Sequence, residues 1–379
     1  MPKSAGREYF FTTAVWGGGY VSLFLDLILP NFLASENILS CAKYGELRYE
    51  IYTSQKDVDA IAGHENYRRL ATVVHASIIP LLDDDTIANN HKYYCMALCN
   101  TQALRVAHAR KAVILNLPPD CLFTNGGLEK ICAVIDGGKK AVLMSAFRLN
   151  KEEIRPIVLE RFYNKATLTI SLPSREFMDI AVQHLHPNTK HCFWDAEIFA
   201  GQGVSHIFWK VEKSEFAAKQ FHMHPLAVDL SGVSSQVPTE MEPVDTCLLE
   251  WSGIASEDCY RVTDSDFFFV GELSPKDMDV SNLGLSKSQY RSLKVLFYAW
   301  RCTDRDRDNF INYTVKYKTS DNSDWESVEK NIQKDMRRVI PYINRPGLFS
   351  IPIYLHKFIH WFRLGRKFRK MKSFIAGLR

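Results

Sequence analysis

No stretch of this chain approaches the roughly 18 to 20 uninterrupted apolar residues of a membrane-spanning helix, so no transmembrane segment is expected. The opening residues, MPKSAGREYFFTTAVW, lack a charged region followed by a long apolar core and a small-residue cleavage site. They read as the lead-in to a first strand, and secretion is not expected. The nine cysteines contain no CxxC pair, and Cys95 and Cys99 stand one helical turn apart. Scattered cysteines in a chain of this size point to buried free thiols in a reducing compartment, rather than to disulfides or zinc. Internal repeats and low-complexity tracts are absent. Ile351 to Arg379 carries eight Lys and Arg and no Asp or Glu. With a net charge of +4 overall, the first 350 residues then carry about −4. A mildly acidic body with a basic tail argues against nucleic-acid binding and for a local electrostatic device at the C-terminus.

What is present is a globular composition, 46% hydrophobic and 12% aromatic. The 379 residues suffice for a large α/β domain with additions, or for two domains. Tyr9 to Trp16 is a β-rich run broken by Gly17-Gly18-Gly19, and Tyr20 to Leu33 then has helical spacing with Pro30 near its end. Leu47 to Thr53 is a second strand, and Asp57 to Ala62 opens another helix, which makes a βαβ unit. The triple glycine reads either as a plain turn into a helix or as a turn whose backbone N–H groups approach a nucleotide. A dinucleotide or S-adenosylmethionine site would need GxGxxG-like spacing and an acid closing the second strand; this strand closes on Thr53-Ser54. Asp83-Asp84-Asp85 precede a helix, where they serve as caps rather than metal ligands.

The chain is organised around Lys111 to Gly127. The apolar run Ala112 to Leu115 stops at Asn116 and passes through Pro118-Pro119-Asp120 before Leu122 and Phe123. A buried strand that ends in a proline-fixed loop with an aspartate places a carboxylate where open α/β sheets bind ligands. Lys139 to Ser145 reads as the next strand, Asn150 to Asn164 as a charged surface helix, and Ser174 to Leu185 as a helix with Ser174 as its N-cap. Ser205 to Val211, Gln220 to Leu230 and Cys259 to Val270 read as strands. Leu285 to Ala299 and Trp325 to Ile340 read as helices, and Thr319 to Asp324 as an exposed connection.

This order resembles the GT-A fold of nucleotide-diphospho-sugar glycosyltransferases over roughly Tyr9 to Leu230. The resemblance rests on the βαβ opening, on a helix carrying Asn100, Ala103 and Ala107, and on Val113 to Asp120. It implies a Rossmann-related α/β fold with a mixed central sheet flanked by helices and a helical C-terminal addition. It also implies a nucleotide-sugar donor bordered by Trp16, Gly17 and Thr53, with Asp120 at the diphosphate. Where that family places Asp-x-Asp, this chain has Pro-Pro-Asp, one carboxylate; Mg²⁺ or Mn²⁺ held by Asp120 and His224 remains compatible with that. Late histidines in the family contact metal or diphosphate, which makes His222 and His224 candidates. Two apart on a strand they share a face, and either imidazole also suits a general base. Asp264-Ser265-Asp266 reads as a loop or cap, or else carries the acceptor's base (Asp266) or the metal, with Asp120 then merely structural. His184 and His186 read as ordinary hydrogen-bonded histidines, and Arg148 as a surface ion pair or a phosphate contact.

In the tail, Leu355, Phe358, Ile359, Phe362, Phe368 and Met371 recur at helical spacing among basic residues, as in an interfacial helix on anionic lipid. The expected organisation is a GT-A-like domain over residues 1–275, a helical addition over 276–350 and a basic amphipathic helix over 351–379. The expected protein is a cytoplasmic glycosyltransferase, peripheral on the inner face of the membrane. It would pass a sugar to a hydroxyl of a surface glycan or lipid-linked acceptor. An S-adenosylmethionine-dependent methyltransferase and a non-catalytic membrane scaffold are the alternatives.

Overall fold

The computed structural model describes residues 6–200, 205–238, 246–278 and 286–343. The basic tail expected over 351–379 lies outside the described residues. In chain order the strands are β1 (Glu8–Ala14), β2 (Glu46–Ser54), β3 (His75–Leu82), β4 (Val113–Asn116), β5 (Cys121–Phe123), β6 (Ala141–Met144) and β7 (Ala146–Asn150). They continue as β8 (His206–Glu212), β9 (Glu215–Gln220), β10 (His224–Asp229), β11 (Cys259–Arg261), β12 (Val270–Ser274) and β13 (Val315–Tyr317). A seven-stranded sheet has the order β11-β6-β10-β4-β1-β2-β3. Within it β10 runs against both neighbours, and the other six strands are parallel. The protein is thus a mixed α/β fold with a mixed central sheet flanked by helices, as expected.

The sequence of β1 explains its central place. Tyr9, Phe10 and Phe11 are fully buried, and a strand covered on both faces needs no polar alternation. Each such side chain contributes about 1.5–3 kcal/mol of burial. Tyr9 hydrogen-bonds through its hydroxyl to the Cys132 carbonyl of helix Gly127–Asp136 on one face. Thr12, at the opposite parity, shares a crevice with Asn100 of helix Lys92–Ala109. Layers of helix on both faces of the sheet follow directly.

Among the described residues there are also two three-stranded sheets, one in the order β5-β12-β7 and the other β8-β9-β13, and two short two-stranded pairings. Phe147, Phe216, Phe269 and Tyr317 pack between them, and the Tyr317 hydroxyl meets Ser145 Oγ at 2.9 Å just past β6. The described residues after 285 carry helices α1 (Arg291–Ala299), α2 (Asp304–Asn312) and α3 (Trp325–Met336), and also supply β13, which pairs with β9. The expected exposed connection Thr319 to Asp324 is tied down. The buried Glu215 carboxylate accepts the N–H groups of Thr319 and Ser320 at 2.8 and 2.7 Å.

The single strand expected over Cys259 to Val270 is two strands in different sheets. β11 stops at Arg261, and the Asp264 carboxylate accepts the Asp266 N–H at 2.9 Å, turning the chain before it re-enters β12. Ser174, expected as an N-cap, is instead the first helical residue, and its hydroxyl donates to the Ser265 carbonyl. Asp83 does cap its helix, accepting the Thr86 N–H at 2.7 Å. All nine cysteines are free, and eight of them are buried.

Candidate functional site

β1 connects onward to β2 on one side, while β4 flanks it on the other, so the strand order reverses between β1 and β4. Ligands of open α/β sheets bind outside the carboxyl ends of the strands at such a reversal. A crevice lies there, lined by Thr12 of β1, Ile114 and Asn116 of β4, Asn100, Pro225 and Leu248. The loop leaving β4 is stitched to β1. Leu117 donates its N–H to the Thr12 carbonyl at 2.8 Å, and the Thr13 hydroxyl donates to the Leu117 carbonyl at 2.9 Å. With Pro118 and Pro119 restricting the backbone that follows, Asp120 is held in a fixed place beyond the end of β4.

The neighbours of Asp120 come from the small sheet. Its carbonyl accepts the Leu273 N–H at 2.8 Å, so β12 runs alongside it. The register sets Glu272 opposite Cys121 on one side and Arg148 on the other. Arg148 Nε lies 2.9 Å from Glu272 Oε1, with both side chains roughly a quarter exposed. Burial and then the Glu272 charge push the Asp120 carboxyl up to about 7, while Arg148 pulls the other way. Two acids and one arginine thus stand together at the carboxyl edge of the sheet, where their charges act on one another. Oxygen donors of this kind fit Mg²⁺ or Mn²⁺, which take one or two protein carboxylates and complete their shell with phosphate and water. Two histidines lie behind Arg148. His186 is fully buried, caps the Pro187–Lys190 turn and reaches the Pro275 carbonyl through Nε2 at 2.8 Å. His206 is held neutral down to about 4 by burial and by Arg148.

The other expected residues fall in several places. Gly17 has φ +79°, a left-handed conformation that favours glycine. Its N–H donates to the Asp57 carboxylate at 2.8 Å, and Ser54 Oγ donates to the same oxygen at 2.6 Å. Trp16 is half-buried beside this loop, whereas Thr53 is fully buried one residue before Ser54. His224 is exposed at the start of β10, opposite Met144. His222 precedes the strand, and its Nδ1 lies 3.1 Å from Asp306 Oδ1. Asp266 is engaged by Arg175 in a two-pronged pair at 2.9 and 3.0 Å, with Lys318 nearby at 3.9 Å. His184 pairs with Glu153 at 2.8 Å. Among the described residues, the His, Cys, Asp and Glu side chains whose ligand atoms gather in threes within 4.8 Å are His222, Cys302 and Asp306. Neither Asp120 nor His224 belongs to that group.

Glu272 was missed by sequence reasoning. Its signal was an acid set inside the apolar run Phe267 to Leu273 (FFFVGEL), where a strand buried on both faces has no use for one. Gly271 beside it has a physical reason as well: a Cβ there would stand 2.7 Å from Leu149 Cδ1.

No family model matches the chain, and no curated protein does. Among solved structures, a 4-diphosphocytidyl-2C-methyl-D-erythritol synthase from Anaerococcus prevotii is similar over 38% of this chain and 56% of that one, at 14% identity and a TM-score of 0.23. A structure described as a glucose-1-phosphate thymidylyltransferase from Bacillus anthracis is similar over 41% and 58%, at 13% identity and a TM-score of 0.24. The chain therefore spans a little over half the length of the structures it matches. Its membership of the mixed α/β class rests on its own strand order.

Proposed function

We propose that this protein transfers a sugar from a nucleotide-activated donor to a hydroxyl of a glycan or lipid-linked acceptor. The observation that carries the reading is Asp120, set with Glu272 and Arg148 just beyond the end of β4, the strand at which the strand order reverses. The nucleotide would lie along the Trp16–Gly17 loop and the Ser54–Asp57 turn, with its diphosphate toward Asp120 and Arg148. A divalent cation held by Asp120 and Glu272 would supply positive charge for the departing diphosphate. In the transfer the bond between the sugar's anomeric carbon and the diphosphate oxygen breaks. The acceptor oxygen forms the new bond, and its proton passes to a base. His224, exposed at the start of β10, is the imidazole we assign to that base.

Attachment to an anionic membrane belongs to the same reading. Among the described helices, none is long and apolar enough to cross a membrane. Leu293 and Phe297 lie exposed on one face of α1, and Tyr342 is exposed beside the point where the chain continues toward its basic tail. A chain that carries both exposed apolar side chains and a lysine- and arginine-rich segment suits a surface of anionic lipid.

The test is thermal stability of the full chain against UDP, GDP, CDP, CMP and S-adenosylmethionine, each with and without Mn²⁺. Ligand at about 100 times its dissociation constant stabilises a fold by roughly 2.7 kcal/mol. A shift with one nucleoside diphosphate, lost in Asp120→Asn, is the expected result. A shift with S-adenosylmethionine alone, or none across the panel, overturns it.

A further inference from the structure

We infer that His222, Cys302 and Asp306 form a site for a borderline-soft divalent metal such as Zn²⁺, separate from the carboxylate pair at β4. Two come from the turn that joins α1 to α2, Cys302 three residues past α1 and Asp306 in the first turn of α2, and His222 comes from the loop before β10. Their ligand atoms all lie within 4.8 Å of one another. His222 Nδ1 is 3.1 Å from Asp306 Oδ1, and Nε2 is 3.9 Å from Cys302 Sγ. An imidazole binds an ion through one ring nitrogen, and with one atom from each residue the three stand up to 4.8 Å apart. Atoms bound at about 2.0–2.3 Å around a tetrahedral zinc stand roughly 3.3–3.8 Å apart, so side-chain rotation must draw them together by up to about 1 Å.

A second observation points to a ligand. Asp306 is fully buried, and its two oxygens are used unequally. Oδ2 accepts from the Thr303 N–H and hydroxyl at 3.0 and 2.9 Å, as the capping box of α2 requires. Oδ1 is shielded from water and accepts no hydrogen bond, and it is aimed at the imidazole. A buried carboxylate oxygen is costly unless a donor or a cation meets it; a protonated His222 would meet it as an ion pair, and a metal ion shared with His222 would meet it as a ligand. The adjacent arginine does not do so, because Arg307 donates to the Cys302 carbonyl and pairs with Asp304.

One sulfur, one imidazole and one carboxylate oxygen make a donor set that selects zinc-like ions over Mg²⁺. As the metal–sulfur bond forms, the thiol proton leaves to solvent. Three protein ligands leave a fourth position for water. The ion would clasp the helical addition to the loop that leads into β10, at the same edge of the sheet as the β4 site.

The experiment is Co²⁺ titration of the full chain after chelator treatment, read by absorption. One Co²⁺ per chain, displaced by Zn²⁺, with a thiolate-to-cobalt charge-transfer band is the expected result. Cys302→Ser, nearly isosteric, should abolish the band while circular dichroism stays unchanged. His222→Gln should weaken binding at least as much as the 10- to 100-fold that loss of an outer-sphere partner typically costs. Failure to bind Co²⁺, or a band that persists in Cys302→Ser, overturns the site. The readout is metal content, so it is independent of whether the protein transfers sugar.

Discussion

Arg148 Nε and Glu272 Oε1 are 2.9 Å apart on neighbouring parallel strands, and this pair sets the charge felt by Asp120. Glu272 raises the Asp120 carboxyl and Arg148 lowers it, after burial has had the larger effect. Replacing either partner therefore moves Asp120 in an opposite direction. Glu272→Gln should shift the acidic limb of the pH–rate or nucleotide-binding profile to lower pH, and Arg148→Met should shift it higher. A profile unmoved by both variants would detach Asp120 from the chemistry.

Asp120 also links the site to stability. Its carboxyl is raised from an ordinary 3.8 to about 7 in the folded protein. Between those values the native state keeps a proton that the unfolded chain releases, so stability falls as pH rises through the window. Asp120→Asn removes this loss. Relative to the parent it should gain on the order of 1–2 kcal/mol at about pH 8 over about pH 5, allowing for solvent screening of a partly exposed group. Activity should fall about 100-fold or more, as when a charge-stabilising group is lost. Melting curves at the two pH values and initial rates check both halves.

Asn31 is buried and joins three segments: its amide donates to the Phe123 and Ile170 carbonyls at 3.0 and 3.2 Å and accepts the Phe123 N–H at 2.9 Å. Asn31→Leu would leave those backbone groups of β5 unpaired inside the protein. A loss of about 3 kcal/mol is expected from urea unfolding, given roughly 1–3 kcal/mol per orphaned group.

Gly271→Val tests the close approach behind Glu272. Even a Cβ meets Leu149 Cδ1 at 2.7 Å, and Phe177 stands 3.6 Å away. Overpacking should cost about 1–3 kcal/mol and displace β12, lowering nucleotide affinity without touching a charged group. Unchanged affinity would show that β12 does not position the site.

Ending the chain after Ser350 removes eight basic and no acidic residues. Flotation with phosphatidylserine vesicles should lose the truncated protein and retain the full chain, with retention falling as salt rises. Equal flotation of both would place the membrane contact elsewhere.

Much of the fold was legible in the residues. Buried parallel strands announce themselves as continuous apolar runs, so β1, β2, β4 and β6 were visible from Tyr9, Leu47, Val113 and Ala141 onward. Pro118 and Pro119 marked the loop that delivers Asp120, and the cysteine spacing foretold free thiols. Partners across sheets were not legible. Glu272 lies more than 150 residues from Asp120 and Cys302 lies 80 residues from His222, and no local period connects either pair.

The sequence by itself therefore determined the elements, the proline-fixed aspartate and the uneven charge between body and tail, because each depends on neighbours along the chain. Only the tertiary structure decided which groups share a site. Strand register set Glu272 beside Arg148, and the capping of α2 turned Asp306 toward His222. Burial then shifted Asp120, since the dielectric around a carboxyl depends on everything packed against it.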